Sequence, residues 1–336
     1  MKRLLLVVAL LIAPALMAQG TDRAVLLAPN GTVYTVESKA GDTTGASASR
    51  YLALTIQNGA NVIHTNVPAS SKGGNNWQPE LAYDAVSDTL LVFWLRSPNT
   101  ILATNELLFC TFQNGKWNEA TSVEDVPYHF RYNLRVGVTR TVQQTDESGN
   151  VRQVAGLTVH AAWWDESGAS ENARYAMLTV VNGVVTDTYV RDLIDFVSTA
   201  DLRQFTIDDS AKDLLRHPVV FESPDHDTVD VVFGDLQMNV VHRLTLKPVL
   251  QTRVRIPIGI RDTTYPGPKH NMIGTTGVSA VSGSPESLAY YSVADGQVKY
   301  MMFDNGVWGD AKSIAITNEL SAESAVAALK RMVRGD

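Results

Sequence analysis

The phrase FQNGKWNEATSV at 112–123 returns in nearly the same form as FDNGVWGDAKSIAI at 303–316. In both phrases, Asn-Gly separates two runs of residues that favour β-strands. Asn-Gly is the strongest short-range signal for a two-residue β-hairpin, because both turn residues need positive φ. The two phrases therefore predict the same hairpin at two distant places in the chain.

Asn-Gly recurs along the chain, and its spacing indicates an array of similar units. The pairs stand at 30–31, 58–59, 114–115, 182–183 and 305–306. Lys247-Pro248 lies in the one wide gap of this series, and we interpret it as the corresponding turn of a fourth unit. Each unit can be written as four strands. The resulting units lie near 24–67, 79–123, 133–190, 217–256 and 274–316.

The strands of each unit differ in composition in a way that predicts their depth. The second and third strands are rich in Val, Leu, Phe, Tyr and Trp, as strands buried on both faces are. The fourth strand is more polar and suits an outer edge. Five such antiparallel sheets predict an all-β fold, a β-propeller of five four-stranded blades with a short C-terminal helix. A β-sandwich or a two-domain all-β protein is the alternative. The aromatic residues predicted to fill the inter-blade cores are Trp94, Trp163, Phe233 and Tyr291.

The chain begins with Met1-Lys2-Arg3 and an apolar run that ends at Ala18. This pattern predicts a signal peptide over 1–18, cleaved near Ala18, and hence a secreted or periplasmic protein with the propeller at 19–318. An N-terminal anchor helix is the alternative, although the run is too short for a convincing membrane span. The net charge of the whole chain is −7. Nucleic acids and acidic membrane surfaces are therefore poor candidates for partners.

Two segments fall outside the repeat. The insertion 191–216 contains a short predicted helix capped by Asp208 or Ser210, and insertions of this length are often functional. A helical plug over one blade is an equal alternative. The C-terminal segment 319–336 predicts an amphipathic helix that docks on the propeller, with an exposed partner-binding helix as the alternative. Its apolar stripe consists of Ala322, Val326, Leu329 and Val333.

Cofactor and metal signals are weak in this sequence. The single cysteine, Cys110, excludes an internal disulfide, and its flanks ELLFCTF predict a buried strand. There is no Gly-rich phosphate loop, no GxSxG and no Asp-rich calcium loop. The cluster Asp225-His226-Asp227 is typical of a solvated turn. We therefore predict no cofactor and no metal site.

The second-strand phrases LTVHAAWWDES and LLVFWLRS, followed by FQNGKW and FDNGVW, resemble the sialidase-like propellers with short aspartate-rich hairpin repeats. The resemblance implies a secreted β-propeller that acts on or binds glycans. That family's hairpin box is Ser-x-Asp-x-Gly-x-x-Trp, and the nearest phrase here, SVADGQVKY from Ser292, has different spacing. The three arginines and the Tyr-Glu pair of a sialidase site cannot be placed either. The resemblance therefore supports the architecture more than the activity.

The loops that link the blades end in aromatic, histidine or basic residues just before each innermost strand. Innermost strands converge on the propeller axis, so these residues are predicted to surround one mouth of the channel. Arginine and lysine there would bind anions, and the aromatic rings would stack on sugars. Trp164 and Asp165 begin a loop on the same face. The predicted ligand-binding residues are Trp77, Tyr128, Arg131, Trp164, Asp165, Arg216, Tyr265, Lys269 and His270. Solvated loop residues without a common target are the alternative.

These residues favour a non-catalytic β-propeller that binds a glycan, possibly an acidic one, or a protein through its loop face. The alternative is a glycan-degrading enzyme of sialidase-like architecture, a glycoside hydrolase or a polysaccharide lyase. A lyase would use His129 or His217 as its base, with a nearby arginine neutralising the substrate carboxylate. A third hypothesis is a component of a surface assembly that docks through the C-terminal helix.

Overall fold

The structure is a computed structural model, and its β-strands account for most of the residues that it describes. Those residues are 23–41, 50–68, 70, 74–97, 105–124, 129–145, 151–167, 170–196, 216–223, 227–234, 240–251, 254–266, 279–284, 287–304, 307–317 and 320–334. The predicted signal peptide and the predicted helix near Ser210 lie outside them.

The strands form five antiparallel groups of four or five consecutive strands, and the first two groups are joined into one nine-stranded sheet. We call these groups blades 1 to 5. Blade 1 contains β1 (Arg23–Leu27), β2 (Val33–Ala40), β3 (Arg50–Asn58) and β4 (Asn61–Asn66). Blade 2 contains β5 (Asn75–Asp84), β6 (Thr89–Ser97), β7 (Glu106–Gln113) and a broken outer strand, β8 (Lys116–Trp117) and β9 (Thr121–Ser122). One parallel bridge between Arg50 and Asn75 connects these two blades.

The remaining blades repeat this pattern. Blade 3 contains β10 (Phe130–Thr145), β11 (Val151–Ser167), β12 (Ser170–Val181) and β13 (Val184–Asp192). Blade 4 contains β14 (Arg216–Glu222), β15 (Val229–Gly234), β16 (Val240–Gln251) and β17 (Val254–Pro266). Blade 5 contains β18 (Ser279–Ser284), β19 (Ser287–Ala294), β20 (Gln297–Asp304), β21 (Val307–Trp308) and β22 (Lys312–Ala315). Helix α1 spans Ala322–Arg334. The predicted fold class, a β-propeller of four-stranded antiparallel blades with a short C-terminal helix, is confirmed.

Neighbouring blades are held together by apolar clusters. Separate clusters join blade 1 to blade 2, blade 2 to blade 3, blade 3 to blade 4, and blade 4 to blade 5. A fifth cluster packs α1 onto the far face of blade 5 through Val326, Leu329 and Val333. The predicted apolar stripe of the helix therefore docks on the propeller. Leu193 and Phe196, in a short 3-10 helix directly after β13, join the cluster between blades 3 and 4.

The second-strand aromatics face the preceding blade, with one exception to our prediction. Trp94, Trp163 and Phe233 each lie in the cluster shared with the blade before. In blade 5 the equivalent residue is Tyr290, whereas Tyr291 packs against α1. Because side chains alternate along a strand, a shift of one residue moves a ring to the opposite face.

The turn predicted at Lys247-Pro248 is wrong. Strand β16 runs through both residues, and its hairpin connects Gln251 to Val254. Pro248 stands opposite Pro257 in the register of the two strands. Each proline lacks a backbone donor, so the two missing donors fall at the same point of the ladder. Two of the predicted Asn-Gly turns have positive φ at both residues, at 114–115 and 182–183.

We predict that Gly183→Ala destabilises the fold more than Gly115→Ala does. Both glycines have positive φ, which costs an L-residue about 1–2 kcal/mol. A Cβ at Gly183 would lie 2.5 Å from the Thr89 hydroxyl oxygen, whereas a Cβ at Gly115 would meet nothing within 4 Å. We expect a loss of about 2–4 kcal/mol for the first variant and about 1–2 kcal/mol for the second, measured by urea unfolding. Equal losses would contradict the contact between the hairpin of blade 3 and blade 2.

We also predict a pH-dependent contribution of His160 to stability. The ring of His160 is fully buried, with Nε2 bonded to Thr139 at 2.9 Å and Nδ1 to the Tyr175 hydroxyl at 2.5 Å. Burial lowers the pKa of His160 to about 3. Since the unfolded chain takes up this proton near pH 6.5 and the folded chain does not, folding free energy is lost as the pH falls from about 6.5 towards 3.

The variant His160→Gln should therefore lose less stability on acidification than the wild type. Unfolding in urea at pH 7.5, 5.5 and 4.5 measures this, and the gap between the two proteins should narrow by up to about 1.4 kcal/mol per pH unit below 6.5. His64→Gln, at an exposed position of β4, is the control and should keep the wild-type slope. A constant gap across the three pH values would show that His160 takes up a proton in the folded state.

Candidate functional site

The innermost strands of blades 2, 3 and 4 each carry one β-bulge near the start. The bulges interrupt the register between Trp77 and Glu80, between Tyr132 and Arg135, and between Arg216 and Val219. A bulge bends its strand and redirects side chains, and bulges are common beside active sites. Gln78 and Asn133, which follow Trp77 and Tyr132, both have positive φ. A repeated backbone device thus shapes the end of the propeller at which these strands begin.

The bulges also brace neighbouring strands. The side-chain oxygen Oε1 of Gln78 accepts a hydrogen bond from the backbone N–H of Leu134 at 3.2 Å. Glu80 and Arg135 form an ion pair at 3.4 Å directly after the two bulges. These contacts hold β5 beside β10. Trp77, one of the predicted sugar-stacking residues, is half-buried here and packs against the cluster between blades 2 and 3.

His129 and Asp165 meet at this end of blade 3. His129 directly precedes β10, Asp165 lies near the end of β11, and Nδ1 of His129 hydrogen-bonds to Oδ1 of Asp165. The imidazole is 18% exposed and the carboxylate 3%. A carboxylate only accepts hydrogen bonds, so Nδ1 carries the proton and Nε2 carries the lone pair when the ring is neutral. The pair is therefore a partly accessible histidine oriented by a buried carboxylate.

Arg131 contacts the Asp165 carboxylate at Oδ2, the oxygen that does not bond to His129. Its side chain is 1% exposed, and its Nε lies 3.2 Å from Oδ2 of Asp165. Asn105 fixes Arg131 through both backbone groups, since Arg131 N–H donates to Asn105 Oδ1 at 2.9 Å and Asn105 Nδ2 donates to Arg131 O at 2.7 Å. Arg131 Nη1 also donates to the Asn105 backbone oxygen. The predicted role of Arg131 was to bind an anion in the mouth, but its charge faces the protein's own carboxylates.

A second carboxyl group, that of Glu124, continues the network towards the outer strands. Glu124 lies 2.6 Å from Nη2 of Arg174 and 3.5 Å from Nη2 of Arg131. Nε of Arg174 lies 3.3 Å from Asp192. Burial raises the pKa of Glu124, while Arg174 and Arg131 oppose this shift. The blade 2–3 polar cluster, as we call it, consists of Asn105, Glu124, His129, Arg131, Asp165, Arg174 and Asp192.

The tryptophans at the end of β11 are buried beneath the cluster. Trp163 donates from Nε1 to Oδ2 of Asp165 at 3.4 Å. Trp164, predicted to lie on the loop face, packs instead in the core between blades 2 and 3. The Trp163 ring covers one side of the Asp165 carboxylate. Neither tryptophan offers an open stacking face.

The structure brings together three of the predicted residues, His129, Arg131 and Asp165. Arg216 and His217 lie in β14 and Tyr265 in β17, but their side chains lie outside the described part of the structure. Tyr128, Lys269 and His270 lie outside the described residues altogether. At the level of the backbone, Arg216 and His217 occupy the bulge positions of Trp77 and Gln78.

Sequence analysis missed the other members of the cluster. Arg174 is a charged residue within an apolar strand, directly opposite Trp163 in the register. Glu124 begins the same blade-linking loop that ends at His129. A buried strand position with a charge, and an acid at the start of a loop that ends in histidine, are the signals that could have found them. Within the described residues, no group of His, Cys, Asp and Glu could hold a metal ion. In the same part of the chain, no helix is long and apolar enough to cross a membrane.

Comparison with known proteins yields likeness of structure alone. No protein-family model and no curated protein sequence matches the chain. Among solved structures, an α-L-arabinanase of Penicillium chrysogenum is 10% identical with a TM-score of 0.43 and covers 88% of this chain and 76% of its own. A thermostable family-43 glycoside hydrolase is 8% identical with a TM-score of 0.40, over 88% of this chain and 94% of its own. The polysaccharide lyase Uly1 is 10% identical with a TM-score of 0.37, over 90% and 70%.

Our prediction of a non-catalytic binding protein is wrong. The solved structures that resemble this chain include glycoside hydrolases and a polysaccharide lyase, which are enzymes. At 8–10% identity the likeness concerns the fold and transfers no residue role.

We predict that Arg131→Met strongly destabilises the protein, because it leaves Asp165 and Glu124 buried without their shared counter-charge. Removal of one partner of a buried ion pair costs about 3–5 kcal/mol. The matched control is Arg96→Met, since Arg96 pairs with Glu106 at 2.6 Å on an exposed part of blade 2. There we expect a loss of about 0–1 kcal/mol. Urea unfolding of both variants measures the difference, and similar losses would show that the cluster is hydrated.

Proposed function

We propose that the protein is a glycan-degrading enzyme, a glycoside hydrolase or a polysaccharide lyase, with His129 as its proton-transfer residue. The observation that carries the proposal is the pairing of a partly exposed imidazole with a buried carboxylate, His129 with Asp165. Oriented histidines of this kind act as general acids or bases near neutral pH.

The surroundings of the pair suit proton transfer. Asp165 is held on its far side by Arg131 and Trp163, so the carboxylate keeps its position when His129 gains or loses a proton. Glu124 adds a further titratable group to the same cluster. An enzyme needs convergent acid and base groups, and this end of the propeller supplies them within one network.

The two reaction classes would use His129 differently. In a lyase, Nε2 would remove the proton beside the substrate carboxylate, the C–H electron pair would form a double bond as the C–O bond breaks, and the departing glycosidic oxygen would take up a proton from water. In a hydrolase, the imidazolium would give its proton to the leaving oxygen, and the neutral imidazole so formed would take up, through solvent, the proton that the attacking water loses. Since Arg131 is occupied by Asp165, the cation for a substrate carboxylate would come from elsewhere. Arg216, at the bulge of β14, is the candidate from the sequence.

Other predictions accompany this proposal. A glycan is the ligand. The resemblance to sialidase-like propellers, which rests on the sequences of strands and hairpins, stays a prediction. An enzyme that degrades polymeric glycans meets them outside the cytoplasm, and the signal peptide predicted over 1–18 would deliver the protein there.

The proposal is tested with His129→Ala against a panel of acidic and neutral polysaccharides. Hydrolysis is followed by new reducing ends and elimination by the ultraviolet absorbance of the unsaturated product. We expect activity on at least one glycan, and a fall in kcat of about 10²–10⁴ for the variant, because a general acid or base supplies rate enhancement of this order. The melting temperature should remain close to that of the wild type.

His64→Ala is the matched control, because His64 lies on the exposed outer strand of blade 1. It should keep the wild-type kcat. A wild-type rate in His129→Ala, or no product from any glycan of the panel, would contradict the proposal.

A further inference from the structure

A cavity of about 420 Å³ lies between the outer strands of blades 2 and 3. Its volume falls within the range of small-molecule sites, roughly 300–1,000 Å³. The residues that line it are Phe109, Thr111, Asn118, Glu119, Thr121 and the segment 183–188. None of them belongs to the blade 2–3 polar cluster, so the cavity is separate from the site of His129.

The cavity exists because the outer strand of blade 2 is broken. Between β8 and β9 the chain turns away, and Asn118 is fixed to Thr111 by two hydrogen bonds, N–H to O at 2.9 Å and Nδ2 to Oγ1 at 2.7 Å. Strand β13, on the other side, spans nine residues and carries one bulge between Val185 and Asp187. Gly183 closes one end, because its hairpin reaches Thr89 of blade 2. The walls are therefore fixed by backbone and side-chain contacts.

The lining combines an apolar floor with a rim of hydrogen-bonding groups. Phe109 lies at the base, and Val184 adds an apolar side chain that is 58% exposed. Thr186 and Thr188 line the cavity along β13, and the Thr186 hydroxyl donates to the backbone oxygen of Thr179 at 3.3 Å. Such a mixture of an apolar surface and hydroxyl partners suits a sugar, which has apolar C–H faces and a ring of hydroxyl groups.

The charge of the lining selects among sugars. Glu119 and Asp187 both line the cavity. The lining contains no lysine, arginine or histidine. Carboxylates accept strong hydrogen bonds from hydroxyl groups and repel other carboxylates or sulfates. A neutral saccharide therefore fits this cavity, and a uronate or sulfated one does not.

We propose that this cavity is an accessory binding site for a neutral segment of a polysaccharide, remote from the reaction. The proposal rests on the proposed function, since it assumes that the substrate is a glycan. An accessory site of this kind holds the polymer on the enzyme and raises the local concentration of chain ends at the mouth.

The test is affinity gel electrophoresis of the full chain in the His129→Ala background, which keeps the polymer intact. The probes are arabinan, xylan, galactan and levan as neutral polysaccharides, and polygalacturonate and alginate as acidic ones. Thr188→Tyr places a ring in the cavity, and Asp187→Asn removes one charged acceptor without changing the shape. Ser313→Tyr, at an exposed position of the outer strand of blade 5, is the matched control.

We expect at least one neutral polysaccharide to retard the His129→Ala protein and its Ser313→Tyr derivative equally. Thr188→Tyr should weaken this binding at least about tenfold, and Asp187→Asn about three- to tenfold, as the loss of a hydrogen bond to a charged acceptor does. In protein that retains His129, the Thr188→Tyr variant should keep the wild-type rate on short oligosaccharides. Its rate on the polymer should fall.

Retardation unchanged by Thr188→Tyr and Asp187→Asn would overturn the site, and so would the absence of retardation by every neutral polysaccharide. Binding by the acidic probes alone would overturn it as well. These outcomes are independent of the enzyme assay, in which a wild-type rate in His129→Ala, or no product from any glycan, would contradict the proposed function.

Discussion

The architecture depends on one constraint, namely that the second strand of a blade must be apolar on both of its faces. In β6 the side chains of Leu90, Val92 and Trp94 pack towards blade 1, and those of Leu91, Phe93 and Leu95 pack towards blade 3. One strand thus belongs to two cores, and removing a large side chain from it loosens a whole interface. The chain has no disulfide to compensate, because Cys110 is single and buried in one of these cores.

The same constraint shows how the first and last blades differ. The far face of blade 5 would be apolar and open, but α1 covers it with Val326, Leu329 and Val333. The far face of blade 1 carries Val25 and Leu27, which are 58% and 70% exposed. Among the described residues, no apolar cluster joins blade 5 to blade 1. The helix therefore covers the face of blade 5 that would contact blade 1 in a closed ring.

The repeat was readable from the sequence because hairpin turns and apolar strands leave local signals. Asn114-Gly115 and the runs around Trp94 and Trp163 predicted the number and order of the blades. Strand register was harder to predict, since Tyr290 and Tyr291 are adjacent aromatic residues and composition cannot tell which one faces blade 4. Pro248 was misleading for a related reason. A proline usually indicates a turn because it cannot donate a backbone hydrogen bond to a neighbouring strand, but Pro248 stands opposite Pro257, where this donor is not needed.

The candidate site was predictable only in part, because burial of charge is a tertiary property. The sequence indicated that His129, Arg131 and Asp165 would lie at one end of the propeller. It could not show that Arg131 faces inward, since this depends on Glu124 and Asn105 of the preceding blade. A charged residue near the start of an innermost strand can face either the mouth or the neighbouring blade, and the partners decide which.

The polar cluster itself has a physical consequence. Burying Arg131 among carboxylates costs desolvation free energy, and apolar residues of similar volume often stabilise a fold as well or better. Stability alone therefore does not account for this layer at an interface that is otherwise filled by leucine and tryptophan. An apolar layer could not hold a carboxylate against an exposed imidazole. The network holds Asp165 against His129 in this way. It therefore connects the packing of two blades to the chemistry proposed for the protein.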